Sequence, residues 1–181
     1  MRATTNQRQR FTVVYDAVYA DLLRFVQRRT PDGAEDVVAE ALTTAWRRID
    51  DLPLDLDDAR AWIFGIAQHC LLNDRRGQRR QGALAVRIAT VDTGLTRSVD
   101  DAASLAIPRA DLARAWHRLG PDQQEVIALT ALDGLTSQHA GQVLGITPAA
   151  YRHRLQRARA ELRRLLDAND VAPITALEEV R

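Results

Sequence analysis

The sequence predicts an all-α protein built from two small helical modules joined by a flexible linker. Apolar residues recur at spacings of 3 and 4 on both sides of residues 81–108, and this is the period of an amphipathic helix. Hydrophobic residues make up 46% of the chain and aromatic residues only 5%, which suits helices packed through Leu, Val, Ile and Ala. Near the C-terminus, a short helical pattern, a glycine and a basic helical pattern predict a helix-turn-helix within a four-helix module.

The first two helices of the N-terminal module are predicted from their apolar spacing and from the helix-breaking residues between them. Residues 1–10 are polar and basic, and we expect them to be irregular. Helical spacing begins at Phe11 and ends at the Thr-Pro-Asp-Gly sequence of residues 30–33. A second helix is predicted over residues 34–49, with Trp46 among its inward side chains and with acids in its first turn that compensate the helix dipole.

A third helix is predicted from about Asp58 to about Gly77, after an acidic loop over residues 51–58. One face is apolar. The other carries an aromatic ring, two hydrogen-bonding side chains and two cations in one line, at spacings of 7, 4, 3 and 4: Trp62, His69, Asn73, Arg76 and Arg80. Such a line suits melted or single-stranded nucleic acid, because exposed bases stack on aromatic rings and phosphates attract arginine. A lone Trp or His more often belongs to a core or a plain surface, so the prediction depends on the combination.

Residues 81–108 lose the helical period and collect glycine, proline, aspartate and small polar residues. We interpret them as a linker of about 25 residues, long enough that the two modules need not touch. Helical spacing returns with Leu112 on an inward face, breaks at Gly120 and Pro121, and returns again before Gly134. Two helices therefore precede the helix-turn-helix and can complete its core.

The helix-turn-helix is predicted around Gly145, between a short helix capped by Thr136 or Ser137 and a long helix capped by Thr147. The apolar stripe of the long helix comprises Tyr151, Leu155, Ala158, Leu162 and Leu165. Its other faces carry six arginines and one acid, Glu161. A basic helix alone is more often a solvated surface. The short helix and glycine turn before it favour the alternative, in which the second helix enters the DNA major groove.

Charge and cysteine content narrow the class of protein. The net charge is only +1, but all 25 basic residues are arginine, and residues 50–58 hold five aspartates and no base. Such segregation is typical of a nucleic-acid-binding protein with a protein partner. The single cysteine, Cys70, excludes an internal disulfide and fits a reducing compartment. Apolar runs are far shorter than the roughly 20 residues that span a bilayer, so we expect a cytoplasmic protein without membrane insertion.

No catalytic, metal-binding or cofactor-binding motif can be recognised in the sequence. It contains no phosphate-cradling glycine loop, no nucleophile elbow and no paired-histidine metal motif. The four histidines are scattered, and Cys70 lies on an apolar stripe, where it is most simply a small core residue. We expect no enzyme activity, no metal and no cofactor.

The chain resembles the extracytoplasmic-function sigma factors, the compact class of bacterial sigma factor that directs RNA polymerase to promoters. The segment GAEDVVAEALTTAWRR resembles the polymerase-binding segment, and ARAWIFGIAQHCLLNDRRGQRR resembles the helix that melts and reads the minus-ten element. The segments LGPDQQEVIAL, GLTSQHAGQVLGIT and RLQRARAELRRLL resemble the module that reads the minus-thirty-five element. The implied divisions are a region 2-like module (1–80), a linker (81–108), a region 4-like helix-turn-helix module (109–166) and a C-terminal tail (167–181).

The same resemblance implies partners and site residues. Core RNA polymerase would bind through its beta-prime clamp helices and its beta subunit, promoter DNA would bind both as duplex and as melted non-template strand, and some family members have an anti-sigma factor. The implied polymerase-binding residues are Glu35, Asp36, Glu40 and Arg47. The implied minus-ten residues are Arg60, Trp62, His69, Asn73, Arg75, Arg76, Arg79 and Arg80. The implied helix-turn-helix contacts are Thr147, Ala149, Ala150, Arg152, His153, Arg154, Gln156, Arg157 and Arg159.

Some positions depart from the family's pattern. His69 stands where Asn is frequent, Gly141 where Ala is usual, and Ala150 and Tyr151 where Thr and Val are usual, so base preference does not carry over. Tyr151 also lies on the apolar stripe, which favours packing over base contact.

The alternative function is that of a helix-turn-helix transcriptional regulator that does not act as a polymerase subunit. The line from Trp62 to Arg80 separates the two functions, because a simple regulator has no need of it.

Overall fold

The computed structural model describes residues 4–30, 32–77 and 106–170, which form α-helices and one 3₁₀ turn without any β-strand. The helices are α1 (Thr5–Arg29), α2 (Ala34–Arg47), α3 (Leu56–Gly77), α4 (Ala106–Arg118), α5 (Pro121–Ala131), α6 (Ser137–Leu144) and α7 (Pro148–Asp170), and the 3₁₀ turn is Ile49–Asp51. The predicted all-α class is confirmed. Residues 81–105 of the predicted linker lie outside the described residues, whereas α4 already begins at Ala106.

The first helix begins at Thr5, not at Phe11, so the prediction of an irregular start was wrong for residues 5–10. A capping box explains the difference. The Gln7 amide donates to Thr4 Oγ1 at 3.3 Å, and the Thr4 amide donates to Gln7 Oε1 at 2.7 Å. The Arg10 guanidinium then donates to the Leu52 carbonyl at 2.9 Å. Tertiary contact therefore stabilises an opening turn that has little apolar pattern of its own.

The helices α1, α2 and α3 pack around a shared apolar core, in which the Phe25 and Phe64 rings lie 4.6 Å apart. The prediction for Trp46 was wrong: its side chain is 39% exposed and meets Phe11 edge to face at 5.1 Å. The helix α2 ends at Arg47, short of the predicted end at residue 49, and the chain turns through Ile49–Asp51, where Ile49 is still buried as predicted.

The break between α4 and α5 is built by side chains that satisfy the free backbone groups of the helix ends. The side-chain amide of Gln124 donates from Nε2 to the Trp116 carbonyl at 2.8 Å, and the backbone amide of Gly120 donates to Gln123 Oε1 at 2.9 Å. Pro121 occupies the first turn of α5, where its missing N–H costs no hydrogen bond. Leu112 was predicted to face inward, but it is 39% exposed. The helix α7 continues to Asp170, into the segment that was predicted to be a separate tail.

The two halves of the chain pack directly on each other, although the linker length does not require it. The helix α3 lies beside α6, close enough that a Cβ at Gly65 would be 4.0 Å from the Val143 Cα. Buried residues of both halves form one continuous apolar cluster. Arg29 at the end of α1 also reaches Glu125 of α5, 96 residues away in sequence. The closed arrangement of the halves is therefore a finding of the structure.

Candidate nucleic-acid interface

The helix-turn-helix has the predicted caps and the predicted turn. Thr136 caps α6 by accepting from the His139 amide at 3.2 Å, and Thr147 caps α7 by accepting from the Ala150 amide at 3.2 Å. Gly145 adopts the left-handed conformation with φ of 65°, where an L side chain is strained. These elements fix the angle at which α7 leaves α6.

Gly141, which departs from the family's usual Ala, is explained by the turn itself. Its carbonyl accepts from the Ile146 amide at 2.9 Å, which draws the turn close to α6. A Cβ at this position would meet the Ile146 carbonyl oxygen at 2.8 Å. The turn in this chain therefore approaches α6 too closely for any larger residue at position 141.

Tyr151 anchors α7 to α5 and does not face a DNA groove. Its ring is fully buried, and its hydroxyl donates to the Val126 carbonyl at 2.7 Å and lies 2.7 Å from Thr130 Oγ1. Burial raises the pKa of the Tyr151 hydroxyl above its usual value. The predicted packing role of Tyr151 is confirmed, and it leaves the opposite face of α7 turned to solvent.

The outward face of α7 carries the predicted DNA contacts in exposed positions. Thr147 and Ala149 are exposed and Ala150 is half-buried at the start of the helix. The polar side chains that follow are all exposed: Arg152, His153, Arg154, Gln156, Arg157 and Arg159. Glu161 is held by Arg164, whose Nη2 lies 2.6 Å from Glu161 Oε1 and lowers the pKa of that carboxyl. The one acid in this basic stretch is thus already paired.

The predicted line on α3 is only partly exposed. His69 and Asn73 are exposed, whereas Trp62 is half-buried, and the Arg48 guanidinium lies 5.5 Å from the centre of its ring. Arg75 and Arg76 belong to the last turn of α3, but their side chains are outside the description, and Arg79 and Arg80 lie outside the described residues.

The structure places the Arg60 side chain apart from those of Trp62, His69 and Asn73, the other predicted minus-ten residues whose side chains it describes. Its Nη2 donates to the Asp133 carbonyl at 2.6 Å and lies 3.2 Å from an Asp21 carboxylate oxygen. Arg60 therefore joins α3 to α1 and to the turn before α6, on a different face of α3 from Trp62. Arg48 was not predicted to be a neighbour of Trp62, since only the folding of the chain after α2 brings the two side chains together.

The predicted polymerase-binding residues are exposed on α2. Asp36, Glu40 and Arg47 follow at spacings of 4 and 7 and share one helix face, with Glu35 beside them. Beneath them, burial and the neighbouring Glu40 carboxylate raise the pKa of the Cys70 thiol to about 11. Cys70 is therefore protonated near neutral pH and is a core residue, not a reactive thiolate.

Within the described ranges, no group of three or more His, Cys, Asp or Glu side chains is placed to hold a metal ion. Among the described helices, none is both long enough and apolar enough to span a membrane.

Comparison with protein families matches both halves of the chain separately. Residues 14–81 match the family described as Sigma-70 region 2, and residues 109–162 match the family described as Sigma-70, region 4. The first match covers the larger part of α1 together with α2 and α3, and the second covers most of α4 together with α5, α6 and most of α7.

Curated relatives cover most of the chain. It is 30% identical over 153 residues to the ECF RNA polymerase sigma factor SigL of Mycobacterium tuberculosis. The aligned region spans 83% of this chain and 85% of SigL. It is 34% identical over 142 residues to the RNA polymerase sigma factor CnrH of Cupriavidus metallidurans. This second aligned region spans 75% of this chain and 74% of CnrH.

A solved structure of CnrH in complex with the cytosolic domain of CnrY aligns with a TM-score of 0.58 and 26% identity, over 90% of each chain. The order of both regions, the relatives and the fold agree. The chain belongs to the ECF family of RNA polymerase sigma factors, and its function is to direct promoter-specific transcription initiation.

Proposed function

We propose that the chain reads a promoter with two helices, α7 on the duplex minus-thirty-five element and α3 on the melted minus-ten strand, while α2 binds core polymerase. This scheme divides the chain into a module at residues 1–80, a linker at residues 81–108, a helix-turn-helix module at residues 109–166 and a tail at residues 167–181. The observation that carries the proposal is the exposed basic face of α7 over residues 149–166, in which the one acid, Glu161, is already paired with Arg164.

The duplex contacts are divided along α7. Arg152, His153 and Arg154 lie in the first two turns, near the capped end that a helix-turn-helix inserts into the major groove. Arg157 and Arg159 lie further along and would bind phosphate, which positions the helix without reading sequence. In the part of the chain that the structure describes, no carboxylate forms an ion pair with Arg152, Arg154 or Arg157. These guanidinium groups are therefore available to an anion.

The melted strand would lie along α3. Trp62 offers a stacking ring, and His69 and Asn73 offer hydrogen bonds about two and about three turns further on. The loop before α3 exposes Leu54 at 90% and ends where Asp55 caps the helix through the Asp57 and Asp58 amides. We propose this loop as one wall of a pocket for a flipped base. Arg75, Arg76, Arg79 and Arg80 would bind the phosphates beyond it.

The polymerase contact would use Asp36, Glu40 and Arg47, with Glu35 at its edge. Glu35 and Asp36 also compensate the dipole at the start of α2. That explanation does not extend to Glu40, which lies beyond the first turn and is exposed. A row of exposed acids on a packed helix suits the basic surface of a protein partner.

Sigma factors are not enzymes, and we propose that this chain has no catalytic activity of its own and acts in the cytoplasm beside polymerase. A protein inhibitor is a further proposed partner, because the aligned CnrH was solved with the cytosolic domain of CnrY. The regulator alternative accounts for α4 to α7 only, whereas the family match extends over α1 to α3 as well.

The test is reconstitution with core RNA polymerase that lacks any sigma subunit. The chain is mixed with core and a pool of duplexes randomised over 50 base pairs, and transcripts are selected. We expect discrete start sites downstream of two conserved elements. Binding of the chain to duplex DNA without binding to core, and without any transcript, would favour the regulator alternative.

A further inference from the structure

A small polar cavity lies where α1, α3 and the turn before α6 meet. Its volume is about 210 Å³, and its charged lining comprises Asp21, Arg24, Arg28, Arg60 and Asp133. Sites for drug-sized ligands have volumes of about 300–1,000 Å³. The cavity therefore suits a ligand of only a few heavy atoms, and three of its five charged side chains are cations.

The three guanidinium groups of the cavity have more hydrogen-bond donors than its walls accept. Among the described residues, each of them bonds through Nη2 alone: Arg24 with the Asp21 carboxylate, Arg28 with the Asp133 carboxylate, and Arg60 with the Asp133 carbonyl at 2.6 Å and the Asp21 carboxylate at 3.2 Å. The Nε atoms of Arg28 and Arg60 are buried, and the described chain offers them no acceptor. Buried donors without a partner are rare in native folds, and a bound ion or water molecule is a common explanation.

The charges around the cavity do not cancel. Four arginines share three carboxylates through direct ion pairs: Arg24 and Arg60 with Asp21, Arg28 with Asp133, and Arg29 with both Asp133 and Glu125. Four positive charges against three negative ones leave one positive charge over. The Arg28 and Arg60 side chains are only 16% and 20% exposed, so bulk water solvates that charge poorly. A water molecule would satisfy the free donors, but only an anion would also balance the charge.

We propose that this cavity binds one phosphate group, which belongs either to free phosphate or to a small nucleotide. Guanidinium groups match the geometry of phosphate oxygens, and here they converge from two helices, α1 and α3. The guanidinium of Arg60 is also held against the Phe64 ring, 4.8 Å from its centre. The proposal gives a role to Arg60, whose side chain lies apart from Trp62, His69 and Asn73. It does not depend on the proposed DNA contacts of α7.

Isothermal titration calorimetry of the full chain tests the site. Inorganic phosphate and adenosine monophosphate are titrated separately, against sodium chloride at the same ionic strength. We expect one phosphate group to bind per chain, and Arg60→Gln should weaken binding at least about tenfold, the loss expected for a hydrogen bond to a charged group. Tighter binding of adenosine monophosphate would identify a nucleotide as the source of the phosphate group, and tighter binding of inorganic phosphate would identify the free ion.

Two further variants make the titration specific. Asp21→Asn removes the carboxylate that Arg24 and Arg60 share, so phosphate should bind several-fold more tightly, which a loss of folding cannot produce. Arg114→Gln is the matched control, because Arg114 pairs with Asp111 on α4 at the same spacing as Arg24 with Asp21, but away from the cavity. This control should bind phosphate as the parent chain does.

Two outcomes would overturn the phosphate site. One is the absence of binding at millimolar phosphate beyond the sodium chloride background. The other is an equal loss in Arg60→Gln and Arg114→Gln, which would assign binding to the overall charge of the surface. Circular dichroism checks the folding of Arg60→Gln, and if that variant is unfolded the Asp21→Asn titration decides. Failure of the chain to initiate transcription with core polymerase would count against the proposed function only, because the titration uses the free chain.

Discussion

The helices α3 and α7 are both proposed to bind nucleic acid, but among the side chains that the structure describes only α7 has its proposed contact arginines all exposed to solvent. Tyr151 is buried against α5, so the arginines of α7 point outward. On α3, by contrast, Arg48 lies over Trp62, and Arg60 is held by the Asp133 carbonyl. Binding of duplex DNA by α7 therefore needs only the local fold of the C-terminal half. Binding of the melted strand by α3 depends on how the two halves are arranged. A chain with this asymmetry would find duplex DNA before it captures a melted base.

The largest expected effect comes from Arg29→Ala, which removes the buried cation that Glu125 and Asp133 share between the two halves of the chain. Glu125 and Asp133 would be left buried without it, and breaking such a pair costs about 3–5 kcal/mol. Urea denaturation should show a loss of that size in the free energy of unfolding. Arg24→Ala is the control, because Arg24 forms an exposed pair with Asp21 that is worth about 0–1 kcal/mol. Similar small losses in both variants would show that the pairing of Arg29 with Glu125 and Asp133 does not hold the halves together.

Gly141→Ala tests the tight turn that orients α7. Its Cβ would meet the Ile146 carbonyl oxygen at 2.8 Å, and overpacking of this kind costs about 1–3 kcal/mol. Thermal unfolding should show this destabilisation, together with weaker duplex binding. Gly65→Ala on α3 is the matched comparison, since its Cβ meets nothing nearer than 4.0 Å and alanine favours a helix by up to about 1 kcal/mol. A Gly141→Ala variant as stable as the parent would mean that the turn is not tight in solution.

Trp62→Ala should weaken binding of the melted strand by about 1–3 kcal/mol, the range for one base stacked on an aromatic ring. The measurement is fluorescence anisotropy of a single-stranded oligonucleotide from the minus-ten region, in complex with core polymerase. Trp46→Ala is the control, because Trp46 is a tryptophan that is 39% exposed but lies against Phe11 on another helix. Equal losses in the two variants would remove Trp62 from the strand-binding surface.

Arg152→Ala should cost about 1–3 kcal/mol at particular upstream base pairs if its contact is bidentate. Competition between duplexes that differ at single positions would locate those pairs. Arg164→Ala is the control on the same helix, because Arg164 is already bound to Glu161. An equal loss on every duplex would assign Arg152 to phosphate, and the salt dependence would then become shallower.

The smallest effect is expected for Tyr151→Phe, which keeps the ring and removes a hydroxyl hydrogen bond worth about 0.5–1.5 kcal/mol. Because burial raises the pKa of Tyr151 in the folded chain, its stabilising contribution is complete below the unfolded pKa near 10 and is lost as pH rises through the folded value. Denaturation between pH 8 and 11 should show that the parent loses stability faster than the variant at the alkaline end. Parallel curves would show that Tyr151 does not titrate in the folded chain.

Local patterns predicted most of the individual helices but missed the start of α1 and the exposure of Trp46. The caps at Thr136 and Thr147, and the buried stripe from Tyr151 to Leu165, were readable because each is decided within a few residues. The start at Thr5 was missed because residues 5–10 lack an apolar stripe, and the capping box of Thr4 and Gln7 was overlooked. Trp46 was placed inward because spacing does not show whether a partner helix covers that side.

The sequence by itself determined the helices, the order of the two modules and the basic face of α7, because helical period, caps and net charge are local properties of the chain. Only the tertiary structure decided that the halves are closed on each other. Arg29, Glu125 and Asp133 are ordinary charged residues in sequence, and no periodicity pairs residues 96 or 104 positions apart. Burial of their charge is stable only when all of them meet, which is a property of the folded chain as a whole.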